Sequence, residues 1–170
     1  DEVIVGVGGK QILFNALFAT LNPNDEVIIS TPYWVSYPDM TLLSGGIPKF
    51  LNCRIENDFK INAADLDKTI SKNTKWLILN SPSNPSGSCY TKKELEDLAN
   101  VLRVHKSVNV MTDDIYEYIV YDDFKLYTLA QVAPDLKERI LTVNGVSKSY
   151  CMTGWRIGYA AGRKDLVKAM

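Results

Sequence analysis

Short apolar runs alternate along this chain with stretches whose apolar residues recur at helical spacing, and that alternation restricts the fold more than any other feature. Strand patterns fall at 2–7, 26–30, 48–53, 74–80, 108–112, 139–143 and 157–161. The run Trp76-Leu77-Ile78-Leu79 marks the strongest of them. Between them, 10–21 carries apolar residues at Ile12, Leu13, Ala16, Leu17 and Leu21, the spacing of one helix face. Helices also read at 34–44, stopped by Gly45-Gly46, and at 63–71. A further helix at 91–105 opens with the capping pair Thr91 and Glu94, and another begins at Lys164. Strands alternating with helices predict an α/β protein: three layers, α/β/α, around a mainly parallel sheet. No repeat, low-complexity tract or flexible linker divides the 170 residues, enough for one domain with a sizeable core. The acidic pair in Tyr121-Asp122-Asp123-Phe124 reads as a solvated loop.

Charge and composition remove several classes of function. The net charge is −1, so no basic field favours nucleic acid or an anionic membrane surface. No apolar run approaches the ~20 residues that span a bilayer. The opening Asp1-Glu2 lacks the basic and apolar regions of a secretory leader. With no initiating Met, the chain reads as part of something longer. Cys53, Cys89 and Cys151 are widely spaced and form no CxxC, which suits reduced thiols in a cytoplasmic protein. The single histidine, His105, follows the apolar positions of the 91–105 helix and is expected at its end. One histidine does not make a His-rich metal site, and no nucleophile motif accompanies it.

Chemistry-bearing residues collect where strands end. Gly6-Val7-Gly8-Gly9-Lys10-Gln11 closes a strand and opens a helix, where free backbone N–H groups can bind a phosphate. Two familiar nucleotide loops fail on counting. The P-loop needs glycine where Ile4 stands and a hydroxyl where Gln11 stands. The dinucleotide pattern, started at Gly6 and Gly8, puts Gln11 at its third glycine. Trp34, in Thr31-Pro32-Tyr33-Trp34-Val35-Ser36-Tyr37, reads alone as a core indole, although at a strand end it also suits stacking on a ring. Asn80-Ser81-Pro82-Ser83-Asn84-Pro85-Ser86-Gly87 is a stiff loop in which Asn84 could equally serve the turn or donate to a phenolate. In Thr112-Asp113-Asp114-Ile115-Tyr116-Glu117, a buried Asp113 would keep a pyridine nitrogen protonated, whereas the acidic pair alone reads as solvated. Lys148 stands eight residues before Arg156, and Gly154 and Gly158 flank that arginine. An amine and a guanidinium at this spacing suit a Schiff base with an aldehyde cofactor and a grip on its phosphate.

These stretches, in this order, resemble the large domain of class I aminotransferases, the fold-type I pyridoxal-phosphate (PLP) enzymes of the aspartate aminotransferase superfamily. The resemblance runs from Gly8 to Tyr159. It implies that Lys148 is catalytic, binding PLP as a Schiff base and later moving a proton. It implies that Asp113 pairs with the pyridinium nitrogen, Asn84 and Tyr116 bond the ring oxygen, and Trp34 stacks on the ring. Gly8, Gly9 and Lys10, with Arg156, would hold the phosphate. Several relatives carry serine three residues before the lysine; Gly145 stands there in this chain, with Ser147 nearby. The resemblance further implies amino-acid and 2-oxo-acid substrates, a homodimer, and a small domain built from segments outside 1–170. An arginine for the substrate carboxylate is expected beyond Met170 and a partner-subunit tyrosine before Asp1, so the 170 residues alone are expected to fold without activity. The expected reaction is transfer of an amino group from an L-amino acid, aspartate among the candidates. The same cofactor residues also serve β-lyases and cyclopropane-forming synthases, and a PLP-binding regulatory module is a third alternative.

Overall fold

A computed structural model describes all residues, 1–170. The strands are β1 (Val3–Val7), β2 (Glu26–Thr31), β3 (Ile47–Asn52), β4 (Thr74–Asn80), β5 (Asn109–Asp113), β6 (Ile140–Gly145) and β7 (Ile157–Ala161). The helices are α1 (Gly9–Thr20), α2 (Ser36–Leu43), α3 (Ala63–Thr69), α4 (Lys92–Val104), α5 (Leu129–Val132) and α6 (Lys164–Ala169). One seven-stranded sheet runs in the order β1-β7-β6-β5-β4-β2-β3. The pairs from β3 through β6 are parallel, while β7 is antiparallel to both β6 and β1.

The strand patterning explains the layers. Side chains alternate between the faces of a strand, and both faces are apolar here. Val27, Ile29, Trp76, Ile78, Met111, Leu141 and Val143 pack on one side against α1, α2 and α6, through residues such as Leu13, Leu17, Met40 and Leu166. Ile28, Leu77, Leu79, Val110 and Ile140 point the other way, against Leu66 of α3, Leu95, Leu98 and Leu102 of α4, and Leu129 of α5. The expected three layers are therefore present.

Helix α4 starts as its sequence predicts: the Thr91 hydroxyl accepts from the Glu94 N–H, and the Glu94 carboxylate accepts from the Thr91 N–H. His105 caps the far end, with Nε2 2.7 Å from Oδ1 of Asp67. Two details differ from the sequence reading. Helix α2 begins at Ser36, so Trp34 lies in the turn before it and is released from the helical register. The stretch between β5 and β6 carries α5 and a 3-10 helix at Pro134–Arg139, too short for a periodic signal. No helix is long and apolar enough to cross a membrane.

Candidate active site

Register brings the site together. Asn80, the last residue of β4, pairs with Asp113, the last of β5. Side chains then fasten the loops that follow. Asn80 Nδ2 donates to the Asp113 carbonyl at 2.7 Å, and Asn80 Oδ1 accepts from the Asn84 N–H at 2.7 Å. One amide thus fixes the Ser-Pro loop against β5. On the other side, Asn144 Nδ2 donates to Glu117 Oε1 at 2.6 Å, while its Oδ1 accepts from the Gly145 N–H at 2.7 Å. The loop after β5 is thereby held between its neighbours.

Asp113 and Asp114 are both buried, 6% and 4% exposed, so the solvated reading of this pair does not hold. Tyr37 Oη donates to Asp113 Oδ2 at 2.6 Å. Burial holds the Asp113 carboxyl above its ordinary range, and the Tyr37 hydroxyl and the Ile115 N–H offset only part of that rise. Burial, then the charge of Asp113, pushes Asp114 up to about 8, against one donor, the Thr112 hydroxyl at 3.2 Å. Burial and the Asp113 carboxylate also raise the Tyr37 phenol well above its ordinary range, so it remains a donor.

A cavity of about 450 Å³, including its open mouth, lies over this floor. Its wall brings together Gly9, Lys10, Trp34, Asn84, Asp113, Tyr116 and Lys148, seven of the nine residues singled out from the sequence. Trp34 is half-buried and packs edge-on to the Tyr37 ring, with centroids 5.4 Å apart at 86°. The Lys10 amine lies 4.8 Å from the Trp34 ring centroid, and Lys148 Nζ lies 5.7 Å from that of Tyr116.

Gly8 and Arg156 stand beside the wall rather than on it. Gly8 has φ 81° and ψ 161°, a backbone conformation that glycine adopts freely and other residues do not. A Cβ there would overlap the Arg156 guanidinium, which therefore lies directly over the turn that opens α1. Arg156 has left-handed backbone, φ 51°, and its Nη1 donates to the Thr153 carbonyl at 2.8 Å. Gly158 passes beneath the same turn, where a Cβ would overlap backbone atoms of Gly8 and Gly9.

These residues fit PLP. One end of the site offers helix N-terminal N–H groups under a guanidinium, the chemistry of a phosphate grip. The other end offers a buried carboxylate, the counter-charge for a pyridinium. The same wall carries an amine, an amide and a phenol. Two residues with evident parts in this geometry, Tyr37 and Asn80, were not among the sequence candidates. Tyr37 was visible only as one tyrosine of a motif, and nothing local reveals that it meets a carboxylate 76 positions away. Asn80 reads in the sequence as the last residue of a strand, and nothing local marks its amide for this contact.

Comparison with known proteins agrees with the geometry. The model of the family "Aminotransferase class I and II" matches residues 1–170. The chain is 64% identical, over 100% of its own length and 42% of the relative's, to a probable aspartate/prephenate aminotransferase of Rickettsia conorii. It is 59% identical, over 99% of its length and 42% of the relative's, to the aspartate/prephenate aminotransferase of Cereibacter sphaeroides. The crystal structure of the Rhizobium meliloti aspartate aminotransferase superposes with a TM-score of 0.97 at 52% identity, covering 99% of this chain and 42% of that one. The chain thus spans less than half the length of the curated relatives it matches. With family model, sequence and fold in agreement, the chain belongs to the class I and II aminotransferases, a family of PLP enzymes.

Proposed function

We propose that the full-length protein is a PLP-dependent aminotransferase acting on aspartate, with prephenate as an acceptor 2-oxo acid, and that residues 1–170 belong to its cofactor-binding large domain. The observation that carries this reading is the single cavity shared by the Lys148 amine, the buried Asp113 carboxylate and the polar tips of Asn84 and Tyr116. Aspartate and prephenate are taken from the names of the similar proteins. A homodimer and a cytoplasmic location belong to the same reading, and the free thiols of Cys53, Cys89 and Cys151 suit a reducing compartment.

When bound, PLP supplies a protonated ring that draws electrons from the substrate Cα. The geometry supports a part for each residue of the site. The N–H groups of Gly9 and Lys10 and the Arg156 guanidinium would bind the phosphate. Asp113 holds the proton on the ring nitrogen by placing a negative charge beside it. Asn84 and Tyr116 would orient the ring through its oxygen, and Trp34 would shield it from water. Lys148 Nζ takes the proton that leaves the substrate Cα. Borohydride reduction of the full-length protein, followed by peptide mass mapping, tests the assignment. The expected result is a pyridoxyl group on Lys148. An adduct on another lysine of the wall, Lys10, would remove the proposed nucleophile.

A further inference from the structure

We propose that Tyr37 is a positioning residue for the cofactor's ring nitrogen, acting through Asp113; this deepens the cofactor reading above and rests on it. The Tyr37 side chain is 2% exposed, and its hydroxyl donates to Asp113 Oδ2 at 2.6 Å. It is the one side chain that meets this carboxylate by a hydrogen bond. A phenol has one proton to give, and here that proton is committed to Oδ2. The carboxylate is thereby fixed in orientation, with Oδ1 free of side-chain donors.

The contact also favours the charged form of Asp113 against its burial. A carboxyl buried without donors reverts to the neutral acid. A neutral acid beside a pyridine nitrogen leaves the ring uncharged. A donated hydrogen bond stabilises the anion, and the anion stabilises the protonated ring. Asp114 and Tyr116 also face this floor, but neither bonds the Asp113 carboxyl. Tyr37 is held in place from two sides. It sits in the first turn of α2, and its ring meets the edge of Trp34. One side chain therefore links the ring platform at Trp34 to the charge beneath it.

The test uses full-length holoenzyme loaded with PLP carrying ¹⁵N at the ring, with the nitrogen chemical shift read by NMR. Wild type should show a protonated ring nitrogen. Tyr37→Phe should move the shift toward the unprotonated value and lower kcat on the order of tenfold with little change in KM, the loss of one hydrogen bond to a charged group. Thr41→Val removes a hydroxyl from the same helix without touching Asp113, and should leave the shift at the wild-type value. A Tyr37→Phe shift equal to wild type would overturn the proposal. Equal displacement by both variants would do the same, since the effect would then belong to helix packing. A Tyr37→Phe protein that cannot fold while Thr41→Val does would make the contact structural and also overturn it. A wild type that takes up no PLP would instead sink the cofactor reading itself.

Discussion

Two adjacent carboxylates are buried beneath the cavity, and their surroundings separate them. Asp113 receives a phenol and a backbone N–H, while Asp114 receives one hydroxyl and faces the charges of Asp113 and Glu117. Asp114 therefore keeps its proton up to about pH 8, against an ordinary value of 3.8 that applies once the chain unfolds. Between those values the folded state binds more protons than the unfolded one, so this group's contribution to stability declines as pH rises. Asp114→Asn, a neutral side chain of the same shape, removes that dependence. The variant should gain on wild type from pH 5 to pH 9, by on the order of a few kcal/mol at the alkaline end. Urea unfolding of the full-length proteins at several pH values measures the gap. A gap that stays constant across this range would mean that Asp114 ionises in the fold as it does in water.

At the scale of elements, a row of glycines crosses three strands beside the turn that opens α1. Gly6 of β1 pairs with Gly158 of β7, which pairs with Gly145 of β6. The close approach of β7 to the turn explains Gly158, and packing explains the glycine at 145. A Cβ on Gly145 would lie 2.9 Å from the Ile157 carbonyl oxygen, a backbone atom that cannot swing aside. Gly145→Ser should therefore destabilise the protein by about 1–3 kcal/mol rather than strengthen the phosphate grip. Gly158→Ala, which meets the backbone of both Gly8 and Gly9, should cost at least as much and weaken PLP binding. Gly154→Ala has open space around it and should change stability by less than about 0.5 kcal/mol. Denaturant midpoints of the three variants rank them, and a Gly145→Ser protein as stable as wild type would show that β7 can move away.

At the scale of the whole molecule, the helical layers cover the sheet unequally. Strands β2, β4, β5 and β6 contribute apolar residues to both layers. The outer face of β1 and β7 is bare: Val3, Val5 and Val7 are 57%, 69% and 60% exposed, and Tyr159, paired with Val5, is 37% exposed. An apolar face of this kind marks a surface that something else covers. The cavity is likewise open on one side. The 170-residue chain produced alone should therefore bind a hydrophobic dye and show no transamination, while the full-length protein shows the reverse. Assays with aspartate and 2-oxoglutarate decide this, and substantial turnover by the 170 residues would mean that the site is complete within them.

The sequence by itself determined the α/β class, the α4 capping box and the order of site motifs. Each depends on neighbours along the chain: alternation in strands, helical spacing, and turn residues at strand ends. It also singled out Lys148, Asp113, Asn84, Tyr116 and Trp34, which the fold gathers around one cavity. Only the tertiary structure decided the antiparallel placing of β7 and β1, because pairing direction is set by partners far away in sequence. It alone buried Asp113 and Asp114, whose sequence context is that of a solvated loop, by closing helices and neighbouring strands over them. It alone brought the Tyr37 hydroxyl to Asp113, because a hydrogen bond between α2 and the end of β5 leaves no periodic trace in either segment.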